Sequence, residues 1–161
     1  MAISLGTNIG QRIENLQRAI LFVEEFSVVL KKSKVYETPP WGYSSKNFFL
    51  NMGIILETDF SPESLLKELK RIELRIGRVK SESKEYSDRL IDLDILFYNE
   101  LEMNSKNLKI PHPKIVERKF SIVVLGDLYE KSKLPVLRKR AEDLLRETKD
   151  SSTIKLYKNQ I

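Results

Sequence analysis

"RLIDLDILFY", Arg89 to Tyr98, is the stretch on which the fold turns. Ile91, Leu93, Ile95 and Phe97 recur at period two, as the buried face of a β-strand does. Asp92 and Asp94 fall on the opposite face, side by side. Aspartate is a poor strand former, and two like charges on one strand face repel each other. A strand that keeps both in its middle calls for something to neutralise them.

Upstream, "AISL" reads as a short strand closed by the turn "GTNIG" (Gly6 to Gly10). Ile13, Leu16, Ile20 and Val23 recur at helical spacing and predict a helix over 11–25. The β-branched cluster in "SVVLKKSKVYE" predicts a second strand, stopped by Pro39-Pro40, before a loop that carries Trp41. "FFLNMGIILE" (48–57) predicts a third strand, with Phe48, Leu50, Met52 and Ile54 buried and with Phe49 and Asn51 on the other face. Ser61-Pro62 is a helix start, Leu65, Leu69, Ile72 and Ile76 form its apolar stripe, and Gly77 is its C-terminal cap. Residues 78–88 are polar and aperiodic, an expected exposed and mobile loop.

The order strand, helix, strand, strand, helix, strand predicts an α+β fold. It is a ferredoxin-like βαββαβ antiparallel sheet with its helices packed on one face. Additional C-terminal helices are expected near 115–125 and 137–147, after the proline-flanked turn "IPHP". One domain over 1–161 is expected, because no linker, repeat or low-complexity tract divides the chain.

With the helices covering Leu93 and Ile95, Asp92 and Asp94 lie on the open face of the sheet. Residues two apart in a strand are about 6.6 Å apart. Carboxylates at that spacing can converge on a pair of divalent cations roughly 4 Å from each other. Mg²⁺ suits them, since it prefers hard oxygen ligands and keeps positions for water and phosphate. In isolation an Asp-x-Asp is more often solvated or bridged by neighbouring Arg and Lys. Its position in mid-strand, directly after a basic loop, favours metal.

Phe49 beside Asn51 can serve a flat heterocycle, one by stacking and the other by hydrogen bonding, although edge packing explains that strand equally well. Trp41 and Phe120 are further candidates for such a sandwich. His112, the single histidine, lies between two prolines whose rigidity could hold an imidazole near a phosphate, although a lone His in a turn is more often structural or simply exposed. "GTNIG" is neither a P-loop nor a dinucleotide fingerprint, and reads as a plain turn.

Composition narrows the classes. The 161 residues are 41% hydrophobic and 32% charged, ordinary for a globular chain. With no cysteine, disulfides, thiolate metal sites and cysteine nucleophiles are excluded. Lys and Arg number 28 against 23 acidic residues, a net charge of +5 that is compatible with an anionic ligand without choosing one. No apolar run is long enough for a bilayer and no signal-peptide pattern opens the chain, so cytoplasm is the expected compartment, with no membrane partner. A basic ferredoxin-like domain with sheet aromatics can also bind RNA. The RNP1 pattern is absent, however, and two aspartates on the reading face would repel phosphate, so no nucleic-acid partner is expected.

Taken together, "SLGTNIG", "YETPPWG", "FFLNMG", "RIELRIGR", "RLIDLDIL" and "IPHP" followed by "ERKF" resemble the 6-hydroxymethyl-7,8-dihydropterin pyrophosphokinases of folate biosynthesis. The resemblance runs in order over residues 4–128, and the last thirty or so residues carry no recognisable motif. It implies transfer of the terminal two phosphates of ATP to a pterin hydroxymethyl group, with release of AMP. It implies two Mg²⁺ ions on Asp92 and Asp94, with Arg78 and Arg89 engaging the phosphates. Glu73, Lys80, His112 and Arg118 are implied on the nucleotide side. Thr38, Pro39 and Trp41 are implied to line the pterin pocket, Phe49 and Phe120 to stack on the ring, and Asn51 to read its edge. ATP and the pterin are the expected partners of a monomer. The chain departs from the family pattern at Tyr86-Ser87-Asp88, where a proline often precedes the arginine, at Lys80 in place of an arginine, and at Phe49 in place of a hydroxylated ring.

Overall fold

A computed structural model of the chain describes residues 1–78 and 87–161. Lys80 and most of the loop expected over 78–88 lie outside the described residues. The elements run β1 (Ala2–Thr7), α1 (Arg12–Glu24), β2 (Val28–Lys32), β3 (Tyr36–Thr38), β4 (Phe49–Glu57), α2 (Pro62–Ile76) and β5 (Asp92–Phe97). They continue with β6 (Met103–Asn104), β7 (Lys109–Ile110), α3 (Lys119–Tyr129), α4 (Ala141–Glu147) and β8 (Lys155–Leu156).

Local chemistry fixes α2 at both ends. Ser61 Oγ accepts the backbone N–H of Ser64, Pro62 stands where no donor is needed, and Gly77 takes the left-handed φ of 111° that closes the helix. The expected second strand is two, because residues 33–35 face only Met52 and Gly53 on β4. One extra residue cannot continue a regular ladder. Ser33 spans the break, donating its N–H to the Gly53 carbonyl and accepting the Gly53 N–H on Oγ.

Among the described residues the sheet runs β5-β1-β4-β3-β8, with β2 also on β4, and all these pairings are antiparallel. Leu16, Ala19, Ile20 and Val23 of α1 and Leu65, Leu69, Ile72 and Ile76 of α2 cover one face, against Ile3, Leu5, Leu50, Met52, Ile54, Leu93 and Ile95. Each buried Leu, Ile, Val or Met among them contributes about 1.5–3 kcal/mol, so this face sets the register. Asp92 and Asp94 are thereby turned to the other side, as the period-two pattern predicts.

That other side is not open along its length. α3 crosses it and forms a second core in which Ile122, Val124, Leu125 and Leu128 meet Ala2, Leu96 and Phe97. Helices therefore flank the sheet on both faces. Gly53 makes room for α3, since a Cβ there would sit 2.4 Å from Val124 Cγ1. Phe97, expected beside Ile95, joins the second core instead. Ala2 pairs with Phe97 and Ile3 with Ile95, so Leu96 is an extra residue that reverses the alternation. Phe48, expected to be buried, is 49% exposed because β4 begins one residue later. Asn51, expected on an open face, is buried.

Candidate active site

Register alone assembles the floor of a site. Gly6 of β1 pairs with Asn51 on one side and Asp92 on the other, and Ser4 pairs with Gly53 and Asp94. With strands about 4.8 Å apart, the Asn51 and Asp92 backbones stand roughly 10 Å from each other. Gly6 between them carries no side chain. A Cβ there would lie 3.0 Å from Asn51 Oδ1 and 3.7 Å from a Phe49 ring carbon.

Above this floor is a cleft of about 520 Å³, its mouth included. It brings together Thr38, Pro39, Trp41, Phe49, Asn51, Arg89, Asp92, Asp94, Arg118 and Phe120. Thr38 and Asn51 are fastened to each other, with Asn51 Nδ2 donating to Thr38 Oγ1 at 2.8 Å, both residues being buried. That bond holds the amide plane and leaves Oδ1 toward Gly6. Arg118 lies over the Trp41 ring at 5.0 Å and the Phe120 ring at 6.0 Å, so it sits with the aromatic walls. Tyr43, which sequence reasoning passed over, also lines the cleft and stands edge-on to Phe49, with centroids 6.5 Å apart.

The acidic end is a chain of ion pairs. Asp92 Oδ1 accepts from Arg78 at 2.7 Å and Oδ2 from Arg89 at 2.9 Å. Burial favours the neutral acid, but Arg89, Lys70 and Arg78 outweigh it and hold the Asp92 carboxyl below its ordinary range. Arg78 also donates to Glu73 Oε2 at 2.6 Å. Glu73 Oε1 accepts from Lys70 at 2.6 Å and from the Leu93 N–H at 2.8 Å. Glu73 does not line the cleft. It is buried beneath it, where desolvation raises its pKa against the pull of Lys70. Lys70 was not singled out from the sequence. The available signal was Glu73 itself, a carboxylate within the apolar stripe of α2 that needs a cation within reach.

Asp94 is more loosely engaged. Lys70 Nζ lies 3.8 Å from Oδ1 and His112 Nε2 lies 4.0 Å from Oδ2. His112 Nδ1 accepts the Lys114 N–H at 3.1 Å, which places the ring proton on Nε2, toward Asp94. Burial, aided by Arg118, lowers the His112 pKa despite Asp94, so the ring is neutral at pH 7.

The donor set at this end suits a hard cation. It consists of two carboxylates on one strand face, with no group of three or more His, Cys, Asp or Glu among the described residues that could enclose a metal. A cation held there keeps most of its coordination for water and phosphate oxygens, the habit of Mg²⁺. Among the described residues, the two arginines leave lone pairs of Asp92 for it.

A model of the family described as 7,8-dihydro-6-hydroxymethylpterin-pyrophosphokinase (HPPK) matches residues 2–130. The 2-amino-4-hydroxy-6-hydroxymethyldihydropteridine pyrophosphokinase of Aquifex aeolicus is 35% identical over 155 residues, covering 96% of this chain and 93% of that protein. That of Bacillus subtilis is 35% identical over 128 residues, covering 78% of this chain and 75% of its own length. Among solved structures, the HPPK-DHPS of Plasmodium falciparum with pteroate superposes with a TM-score of 0.71 at 17% identity, over 91% of this chain and 41% of that one. No described helix is long and apolar enough to cross a membrane. The chain belongs to the 7,8-dihydro-6-hydroxymethylpterin-pyrophosphokinase family.

Proposed function

We propose that the chain transfers pyrophosphate from ATP to 6-hydroxymethyl-7,8-dihydropterin and releases AMP, a step of folate biosynthesis. One observation carries this reading at the level of the site: a single cross-strand row sets Asp92 beside side-chain-free Gly6 and then Asn51, under one aromatic cleft. A flat bicyclic ring between Phe49 and Phe120, with its edge on Asn51, extends a one-carbon arm toward the aspartates. Thr38, Pro39 and Trp41 close the walls around it.

The pterin hydroxyl oxygen attacks the β-phosphorus of ATP. An O–P bond forms, the bond from the β-phosphorus to the α,β-bridging oxygen breaks, and that electron pair leaves on AMP. The hydroxyl proton passes to solvent. Such transfers ask the protein for positioning and charge stabilisation rather than covalent chemistry. Asp92 and Asp94 are the residues that hold Mg²⁺, two ions in this reading, and bound Mg²⁺ supplies charge neutralisation and alignment of the phosphate oxygens. Arg78 and Arg89, now on Asp92, turn part of their hydrogen bonding to the incoming phosphates. Glu73 keeps Arg78 and the Leu93 backbone in place from below. His112 borders the nucleotide side beside Asp94, while Arg118 stands at the aromatic wall over Trp41 and Phe120. We read the strand order as ferredoxin-like and the chain as one domain acting as a monomer.

The test is to incubate the protein with ATP, Mg²⁺ and the pterin and to resolve the nucleotide products. Pterin-dependent AMP is expected. ADP, or AMP formed equally without pterin, would overturn the proposal.

A further inference from the structure

Asp88 is not a wall of the cleft, yet its carboxylate is among the most heavily engaged groups near it. Oδ1 accepts from Asn8 Nδ2 at 2.7 Å and from the Tyr43 hydroxyl at 3.0 Å. Oδ2 accepts from Ser45 Oγ at 3.0 Å and from Asn47 Nδ2 at 2.5 Å. All four donors are neutral, and three of them belong to the 43–47 segment that follows Trp41. The fourth, Asn8, is 3% exposed and grips the residue after Asp88. Its Oδ1 accepts the Arg89 N–H at 2.7 Å, and its own N–H donates to the Arg89 carbonyl at 3.1 Å.

We propose that Asp88 is a positioning residue that locks the aromatic wall of the cleft to Arg89. From Asp88 one path runs through Tyr43 to the Phe49 ring, and the other through Asn8 and the chain itself to Arg89 and so to Asp92. The ring-binding end and the phosphate-facing arginine are thereby set by one carboxylate. A carboxylate is required because only it offers enough acceptor sites for four donors with no donor of its own. The four hydrogen bonds outweigh burial and hold the Asp88 carboxyl below its ordinary range, so it stays ionised.

This inference rests on the proposed function for its kinetic half only. Trp41, the single tryptophan, reports on the wall with no substrate present. The variant Asp88→Asn sets an NH₂ group against donors, and is compared with wild type and with Asp88→Glu. In Asp88→Asn, Trp41 becomes more accessible to a neutral quencher. Pterin affinity and the single-turnover rate at saturating substrates both fall, each by about 10- to 100-fold, the scale of an ångström-sized misplacement. Asp88→Glu restores part of both. A residue that served folding alone would lower the active fraction but leave the rate and affinity of the folded molecules unchanged. If Asp88→Asn does not fold, Tyr43→Phe, which removes one donor, must raise Trp41 quenching and weaken pterin binding. Wild-type quenching and wild-type kinetics in these variants would overturn the proposal. A wild-type chain that binds no pterin would instead overturn the proposed function.

Discussion

Gly53→Ala tests the placement of α3 across the sheet. The new Cβ would lie 2.4 Å from Val124 Cγ1, 3.0 Å from Leu128 Cδ1 and 3.3 Å from the Ile3 carbonyl oxygen. Carbon atoms rest at about 3.5–4.0 Å, so the Val124 contact is short by more than about 1 Å. Val124 is buried and β-branched, with one favoured χ1 in a helix, and it cannot swing aside. Behind α3, a Cβ on Gly126 would already be only 3.4 Å from Ala141 on α4, so the helix has little room to slide. Overpacking of this kind costs about 1–3 kcal/mol. For a chain of this length that lowers Tm by roughly 2–12 °C. The first residues of α3 carry Phe120, so the lift also widens the aromatic cleft. The KM for pterin is expected to rise while the KM for ATP moves less. Thermal unfolding and steady-state kinetics on the same preparation decide it. A Tm and pterin KM equal to wild type would show that α3 does not pack on Gly53.

Other substitutions separate the roles at the site. Asp94→Ala removes a carboxylate whose charge contacts among the described residues are long, so Tm is expected to stay near wild type while kcat drops by at least about 10²-fold; turnover near wild type would remove it from the phosphate end. Phe49→Ala is expected to weaken pterin binding by roughly 1–3 kcal/mol, and a calorimetric titration showing no loss would exclude stacking there. In alkali, burial and the charge and hydrogen bond of Asp88 push Tyr43 up to about 12, and burial with Asp127 raises Tyr36 as well. Both contributions to stability are complete below pH 10 and are lost as the pH climbs through these raised values. Phenolate absorbance should therefore show tyrosines that ionise only with unfolding, and six tyrosines titrating together near pH 10 would contradict this.

Much of the architecture was legible because it rests on strong local chemistry. The Ser61-Pro62 start, the Leu65 to Ile76 stripe and Gly77 each encode α2 without reference to the rest of the chain. The alternation of Leu93, Ile95 and the aspartates encodes the face that points away from α1 and α2. The failures are tertiary. Nothing in "FLNMGIIL" says that a helix some seventy residues later will lie on Gly53. The bulge that turns Phe97 and the break at 33–35 depend on which residues of the neighbouring strand face them. β8 is a two-residue strand defined by its pairing with β3, with no periodicity of its own.

The candidate site divides in the same way. Asp92 and Asp94 stand out by chemistry, Phe49, Asn51, Trp41 and Phe120 are candidates from residue type and strand face, Thr38, Pro39, Arg89 and Arg118 follow from resemblance to a family, and the cleft brings them together. By sequence Gly6 belongs to the turn "GTNIG", yet it forms the floor, a role visible only once Asn51 and Asp92 flank it. Lys70 and Tyr43 were missed because neither belongs to a motif; each is defined by the carboxylate it meets, Glu73 and Asp88.

A crystal structure with Mg²⁺, 6-hydroxymethyl-7,8-dihydropterin and a non-cleavable α,β-methylene analogue of ATP would show both substrates at once. The pterin is expected between Phe49 and Phe120, with its edge on Asn51 and its hydroxyl about 3–3.5 Å from the β-phosphorus. Asp92 and Asp94 are expected on the metal that the phosphates share. A pterin bound away from the Phe49–Phe120 cleft, or phosphates that leave both aspartates without metal, would contradict the site and the mechanism together.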